Sequence, residues 1–243
     1  QSWPCNGGSA QKWIIQDQQI KLVKDMMHCL ALSGTEAKEN DNAHLWDCKD
    51  QDNEKWIFDV PNRFIRSRAN PDNCLAVFSE QNNTLKNIKV TPCNYSNPAS
   101  MQWNLPGNYS EKLAGDNLRI HLGEKDSKCV DMKENKANSD IRVYDCQTDH
   151  SQYFTFDGAT IKRANNTDLC VGISKMETGT PLHLENCEDK DKQKWIYDAV
   201  SGRIHSQKDL NKCVKFANNS IANNTEIKIA DCSDAESQIF VIK

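Results

Sequence analysis

The amino-acid sequence predicts an all-β chain folded as two closed, pseudo-threefold barrels in tandem. Three observations predict it: a block that recurs six times, a second cysteine at a near-constant distance before five of those blocks, and a single lengthened joint near the midpoint. The blocks read SWPCNGGSAQKW, HLWDCKDQDNEKW, KVTPCNYSNPASMQW, RVYDCQTDHSQYF, HLENCEDKDKQKW and KIADCSDAESQIF, each an apolar stretch, a cysteine, a polar run and a closing aromatic. Their cysteines, Cys5, Cys48, Cys93, Cys146, Cys187 and Cys232, stand 43, 45, 53, 41 and 45 residues apart. The long interval falls at Leu105 to Gly115, which contains Pro106-Gly107-Asn108 and reads as a linker. It assigns residues 1–107 to a first domain and 108–243 to a second.

Within each repeat the strand signals come in a fixed order, as in Ile20 to Val23, Cys29 to Leu32, His44 to Cys48 and Trp56 to Phe58, with no helical periodicity of useful length. Four short strands per repeat follow. Turn dipeptides such as Asp157-Gly158 and Ser201-Gly202 come after the closing aromatics. Three repeats on either side of the linker make two barrels; a solenoid of six is the alternative, which the single long joint disfavours.

Five blocks are preceded by a cysteine and an apolar residue, at Cys29-Leu30, Cys74-Leu75, Cys129-Val130, Cys170-Val171 and Cys213-Val214. Separations of 19, 19, 17, 17 and 19 within the pairs predict bonds from Cys29 to Cys48, Cys74 to Cys93, Cys129 to Cys146, Cys170 to Cys187 and Cys213 to Cys232. Free buried cysteines would not explain two per repeat. Cys5 is left over, and an odd cysteine in a secreted protein points to a bond with another chain or a free thiol. The first repeat starts in its second half, so the first domain is expected to lack the start of that repeat, with a disulfide-linked fragment or second chain held through Cys5.

Eleven cysteines without a CxxC pair favour an oxidising compartment, hence a secreted, extracellular protein. Sequons at Asn82, Asn94, Asn108, Asn165, Asn218 and Asn223 fit a secreted glycoprotein. A net charge of −4 without a basic run argues against nucleic acid, and no apolar stretch is long enough to insert in a membrane. The six histidines show no metal-ligand spacing, and no nucleophile elbow, phosphate loop or dinucleotide fingerprint occurs. No cofactor, no metal and no enzymatic activity are expected.

The combination of Cys-apolar, an aromatic near a second cysteine and Gln-X-Trp resembles the ricin-B-type lectins over essentially the whole chain. The signature is clean in Gln11-Lys12-Trp13 and Gln193-Lys194-Trp195, takes phenylalanine in Gln152-Tyr153-Phe154 and Gln238-Ile239-Phe240, and is altered in Glu54-Lys55-Trp56 and Met101-Gln102-Trp103. The resemblance implies two tandem β-trefoil domains that bind galactose or N-acetylgalactosamine through shallow sites, with an acid two residues after the first cysteine, an aromatic two before the second, and polar partners around the glutamine. Asp131, Tyr144, Ser151 and Gln152 meet that pattern in the first repeat of the second domain: Asp131 accepts from sugar hydroxyls, Tyr144 stacks on the ring, and Gln152 orients them. In the first repeat of the chain Gln1, Trp3 and Gln11 match the polar, stacking and glutamine positions. Ala31, Ala76, Gly172 and Lys215 replace the acid elsewhere, although Trp46 and Asn53 leave an altered site in the repeat of Ala31. Asp131→Ala is expected to abolish binding there and to leave the melting temperature nearly unchanged.

The partners implied are galactose-type glycans or glycoproteins. A free lectin, the cell-binding subunit of a toxin and the sugar-binding module of a secreted glycan-processing enzyme share these features, because any catalytic part lies outside these residues.

Overall fold

The computed structural model describes residue 2 and residues 4–79, 86–104, 117–123 and 125–243. The chain divides into two compact units, Gln1–Leu105 and Pro106–Lys243. The linker expected at 105–115 lies outside the described residues.

Unit 1 contains β1 (Trp13–Gln16), β2 (Gln19–Leu22), β3 (Asp25–Leu32), β4 (Ala43–Asp47), β5 (Trp56–Asp59), β6 (Phe64–Ser67), β7 (Asn73–Ser79) and β8 (Lys86–Pro92). Unit 2 contains β9 (Ile120–Leu122), β10 (Lys125–Met132), β11 (Ile141–Asp145), β12 (Phe154–Asp157), β13 (Thr160–Arg163), β14 (Asn166–Ile173), β15 (Leu182–Asn186), β16 (Trp195–Asp198), β17 (Arg203–Ser206), β18 (Lys212–Phe216), β19 (Ile227–Asp231) and β20 (Phe240–Ile242).

In unit 2 each repeat supplies four strands, and the fourth pairs with the first strand of the next repeat. Thus β12 pairs with β13 and β16 with β17, all antiparallel. The last strand, β20, returns to the first, with Phe240 opposite Leu122 and Ile242 opposite Ile120. This cyclic pairing leaves no repeat of unit 2 unpartnered, and isolated bridges such as Leu118 to Phe154 and Thr160 to Lys194 join the strand sets.

The interior is built in threes. Ile120, Ile161 and Ile204 come from the first strands, Val130, Val171 and Val214 from the second, and Ile141, Leu182 and Ile227 from the third; all are buried and meet at one small central space. Phe154, Trp195 and Phe240, the aromatics that close the blocks, are buried beside them. Burial of this apolar area stabilises each layer by roughly 1.5–3 kcal/mol per side chain. Where the aromatic is tryptophan its indole N–H also needs an acceptor. Trp56, Trp103 and Trp195 donate to the carbonyls of Leu30, Leu75 and Val171, at 2.9, 2.9 and 3.0 Å. Each acceptor directly follows the first cysteine of a repeat, so the aromatic and the cysteine pair are locked to one strand.

Five disulfides join Cys29 to Cys48, Cys74 to Cys93, Cys129 to Cys146, Cys170 to Cys187 and Cys213 to Cys232. Each pins the second strand of its repeat to the residue that follows the third. Closing loops of this size stabilises by about 3 kcal/mol apiece.

Unit 1 repeats the scheme twice, in the orders β1-β2-β3-β4 and β5-β6-β7-β8. Strands equivalent to β9 and β10 have no counterpart among its described residues. Accordingly Trp13 is 43% exposed where Trp56 is fully buried, and Trp103 and Asn104 lie outside any described strand, whereas β20 is paired. Unit 1 also carries a buried ion pair: Arg66 Nε donates to Asp59 Oδ2 at 2.7 Å, and Asn62 donates to both oxygens of the same carboxylate. The rest of the Arg66 guanidinium donates to the Pro71 carbonyl at 2.7 Å and to the Tyr95 hydroxyl.

Candidate functional site

The register between β10 and β11 decides which side chains meet. Cys129 lies opposite Tyr144 and Asp131 opposite Arg142. Because side chains alternate along a strand, Ile141 and Val143 point into the core while Arg142 and Tyr144 share the outer face with Asp131. The aromatic and the carboxylate singled out in the sequence are therefore diagonal neighbours on one surface.

The carboxylate of Asp131 is engaged on both oxygens. Ser151 Oγ lies 2.8 Å and Gln152 Nε2 3.3 Å from Oδ1, and Arg142 Nε donates to Oδ2 at 2.7 Å. Asp131 is only 2% exposed as a result. The guanidinium carbon of Arg142 also stands 4.7 Å from the centroid of the Tyr144 ring, a cation–π contact. Ser151 Oγ further touches Asp149, whose Oδ1 accepts from the Ser151 backbone N–H at 2.9 Å. The Ser151 hydroxyl, followed by its backbone N–H, holds the Asp149 carboxyl below its ordinary pKa.

A loop of the third repeat closes one side of this surface. Asn224 Oδ1 accepts from Arg142 Nη1 at 2.6 Å, and the Asn224 N–H donates to the Val143 carbonyl at 2.9 Å. Next to it Asn223 Nδ2 donates to Asp145 Oδ2 at 2.7 Å, and Lys128 Nζ donates both to Asn223 Oδ1 and to Asp145 Oδ1. Hydrogen bonds from Lys128 and then Asn223 lower the Asp145 pKa. The sequence pattern did not single out Arg142 and Asn224. Arg142 was visible as the residue two before Tyr144, the place Gln1 holds before Trp3, but its strand partner was not.

The glutamine of Gln-X-Trp has a different main task from sugar contact. Gln152 Oε1 accepts the N–H of Gln147 and its Nε2 donates to the carbonyl of Asp145, at 2.7 and 2.8 Å. Gln193 does the same with Glu188 and Asn186, Gln238 with Ser233 and Asp231, and Gln11 with Asn6 and Pro4. One side chain thus satisfies both backbone groups across the turn after the second cysteine. Glu54 keeps the acceptor half, from Lys49 N–H at 2.7 Å, and Met101 offers only a thioether to the Asn94 N–H. Gln152 sits behind Asp131, fully buried.

Of the first-repeat candidates, Gln1 and Trp3 lie outside the described residues, and Gln11 is taken up by its clamp. Trp46 is 52% exposed, with the His44 ring edge-on at 5.6 Å and Lys49 Nζ 5.9 Å from its centroid. Asn53 Nδ2 donates to the Leu32 carbonyl at 3.0 Å, and Ala31 supplies no acceptor beneath the ring. In the second repeat of unit 2, Glu185 takes the aromatic's position. A Cβ at Gly172 would fall 1.8 Å from Glu185 Oε1, so this carboxylate occupies the acid's space from the opposite strand. Its neighbour is the His183 imidazole, with Nε2 3.6 Å from Glu185 Oε2, in place of an aromatic at the stacking position.

Two histidines, His121 and His205, lie against the Cys129–Cys146 and Cys213–Cys232 pairs. Those sulfurs are bonded to each other, and a metal needs thiolates.

The family model described as the ricin-type beta-trefoil lectin domain matches residues 1–108 and 118–240. The chain belongs to the ricin-type β-trefoil lectin domain family. Its two units are accordingly β-trefoils. Among solved structures, it is similar to a designed threefold-symmetric protein, ThreeFoil, with 11% identity, a TM-score of 0.46 and coverage of 51% of this chain and 96% of that one. It is also similar to a non-toxic homologue of type II RIPs from Momordica charantia (bitter gourd), in complex with alpha-methyl-D-galactoside. Here identity is 19%, the TM-score 0.46, and coverage 99% and 85%. A third is the agglutinin from Abrus precatorius, with 15% identity, a TM-score of 0.45 and coverage of 97% and 82%. No curated protein matches the chain.

Proposed function

We propose that this ricin-type lectin chain is a secreted, non-enzymatic carbohydrate-binding protein. It recognises galactose or N-acetylgalactosamine on glycans and glycoproteins through the Asp131–Tyr144 surface, and through Gln1 and Trp3 in the first repeat, where Gln11 clamps the turn. One observation carries the reading: an acceptor carboxylate and an aromatic ring share the outer face of one strand pair, with Ser151 and Gln152 fixing the carboxylate from behind. The apolar face of a galactose ring suits the aromatic, and its hydroxyls suit a carboxylate held in place. A shallow site of this kind gives about millimolar affinity, so useful avidity comes from several sites on one particle. A glycan array on the purified protein tests the reading. Enrichment of terminal galactose or N-acetylgalactosamine is expected, and an array without galactosides among its hits overturns it.

The exposed, unbonded Cys5 favours a second reading, in which this lectin is the sugar-binding part of a larger toxin or glycan-processing assembly linked through that thiol. Intact mass with and without reductant decides. Release of a different polypeptide supports it, a halving of mass indicates a homodimer through Cys5 and overturns it, and an unchanged mass leaves Cys5 a free thiol and removes it.

A further inference from the structure

We propose that Arg142 is a lid on the sugar subsite and that it sets the subsite's preference for anionic over neutral galactosides. The proposal rests on the reading of Asp131 and Tyr144 as that subsite. Both features a galactose ring needs there are taken by one guanidinium: Nε holds Asp131 Oδ2 at 2.7 Å, and the guanidinium carbon lies over the Tyr144 ring. Its Nη1 is anchored on Asn224 at 2.6 Å, which fixes the closed position from a different repeat.

The strand register makes this arrangement specific to one repeat. The residue opposite the acid position is basic throughout: His44 faces Ala31, Lys89 faces Ala76, His183 faces Gly172 and Lys228 faces Lys215. Among the described repeats only Arg142 has an acid at the paired position, Asp131, and there the guanidinium is drawn over a neighbouring aromatic ring on the outer face. Its side chain remains 22% exposed, which leaves the guanidinium a route to water when it swings away.

A neutral galactoside must displace Arg142 from both Asp131 and the ring and gives it nothing in return. A galactoside bearing a sulfate offers the displaced guanidinium a bidentate partner at the rim. A lid that is open about a tenth of the time lowers apparent affinity for a neutral ligand about tenfold.

The test is calorimetry of methyl galactoside and 3-O-sulfated methyl galactoside against wild type, Arg142→Gln, Asn224→Ala and Asp131→Asn, with circular dichroism to check that each variant is folded. Wild type is expected to favour the sulfated probe. Arg142→Gln should tighten the neutral one about tenfold and erase the preference, and Asn224→Ala should shift the same way by less. If Asp131→Asn abolishes wild-type binding but Arg142→Gln leaves neutral affinity unchanged or weaker, the lid is wrong and the sugar site stands. If no folded variant binds either probe, the lid and the site assignment fall together.

Discussion

The guanidinium of Arg142 stacks 4.7 Å from the ring of Tyr144 while holding Asp131 from the neighbouring strand, so these side chains form one closed unit on the surface of the second trefoil. Removing any member changes what is left for the others.

Asp131→Ala should therefore abolish galactoside binding at this surface and also destabilise the protein. The sequence alone led us to expect an unchanged melting temperature, but the buried carboxylate satisfies Arg142, Ser151 and Gln152 together. Arg142 can reach water, which limits the loss to about 1–3 kcal/mol. Calorimetric titration and thermal melting of the same sample check both parts.

Gln193→Ala should cost about 2 kcal/mol while leaving galactoside affinity unchanged. It strands the Glu188 N–H and the Asn186 carbonyl, two backbone groups that the buried amide satisfies, in a repeat without an aromatic at the stacking position. Urea unfolding of the variant measures the loss; an unaltered midpoint would mean that water replaces the clamp.

Asp59→Ala should destabilise by about 3–5 kcal/mol, because the guanidinium of Arg66 would stay buried without its counter-charge. Asp59→Ala combined with Arg66→Met should recover much of that loss. Denaturant titration of both variants against wild type reads the difference.

Acid should loosen the surface around Tyr144 before it unfolds the core. Asp149 and Asp145 both have pKa values lowered in the folded protein, by Ser151 and by Lys128 with Asn223. A carboxyl with a depressed folded pKa contributes stability that is complete above its unfolded value, about 4, and lost as pH falls through the folded one. Melting temperature should hold from pH 7 to about pH 5 and fall below about pH 4. Asp149→Asn should flatten that decline, and an unchanged profile would argue against the assignment.

The repeat was legible because its signals are local and recur. The cysteine spacing gave the disulfide pairs, and of the closing aromatics that the repeat marked, Trp56, Trp195, Phe154 and Phe240 are buried while Trp13 is 43% exposed. The site was legible only in part, because its assembly depends on register and on distant loops. Nothing near Arg142 in sequence announces that Asn224, 82 residues later, accepts its hydrogen bond. The glutamine of Gln-X-Trp was visible as a motif, yet its partners five and seven residues back are backbone groups, which no side-chain pattern records. Glu185 could not be placed over Gly172 until the strands were paired.

The return of β20 to β9 brings Lys243 within hydrogen-bonding distance of Arg119, each backbone N–H donating to the other's carbonyl. The ends of the second trefoil thus meet as neighbours, and where the polypeptide is interrupted matters little to the barrel as long as each repeat is complete. A circular permutant of this unit, with residues 117 and 243 joined by a short glycine-serine bridge and new ends opened in the turn at Asp157-Gly158, should fold to the same threefold core. Its refolding would be the more informative measurement. The β20–β9 pairing would become a local hairpin while the β12–β13 hairpin became the pairing of the new ends, so contact order is about conserved and the refolding rate should change little.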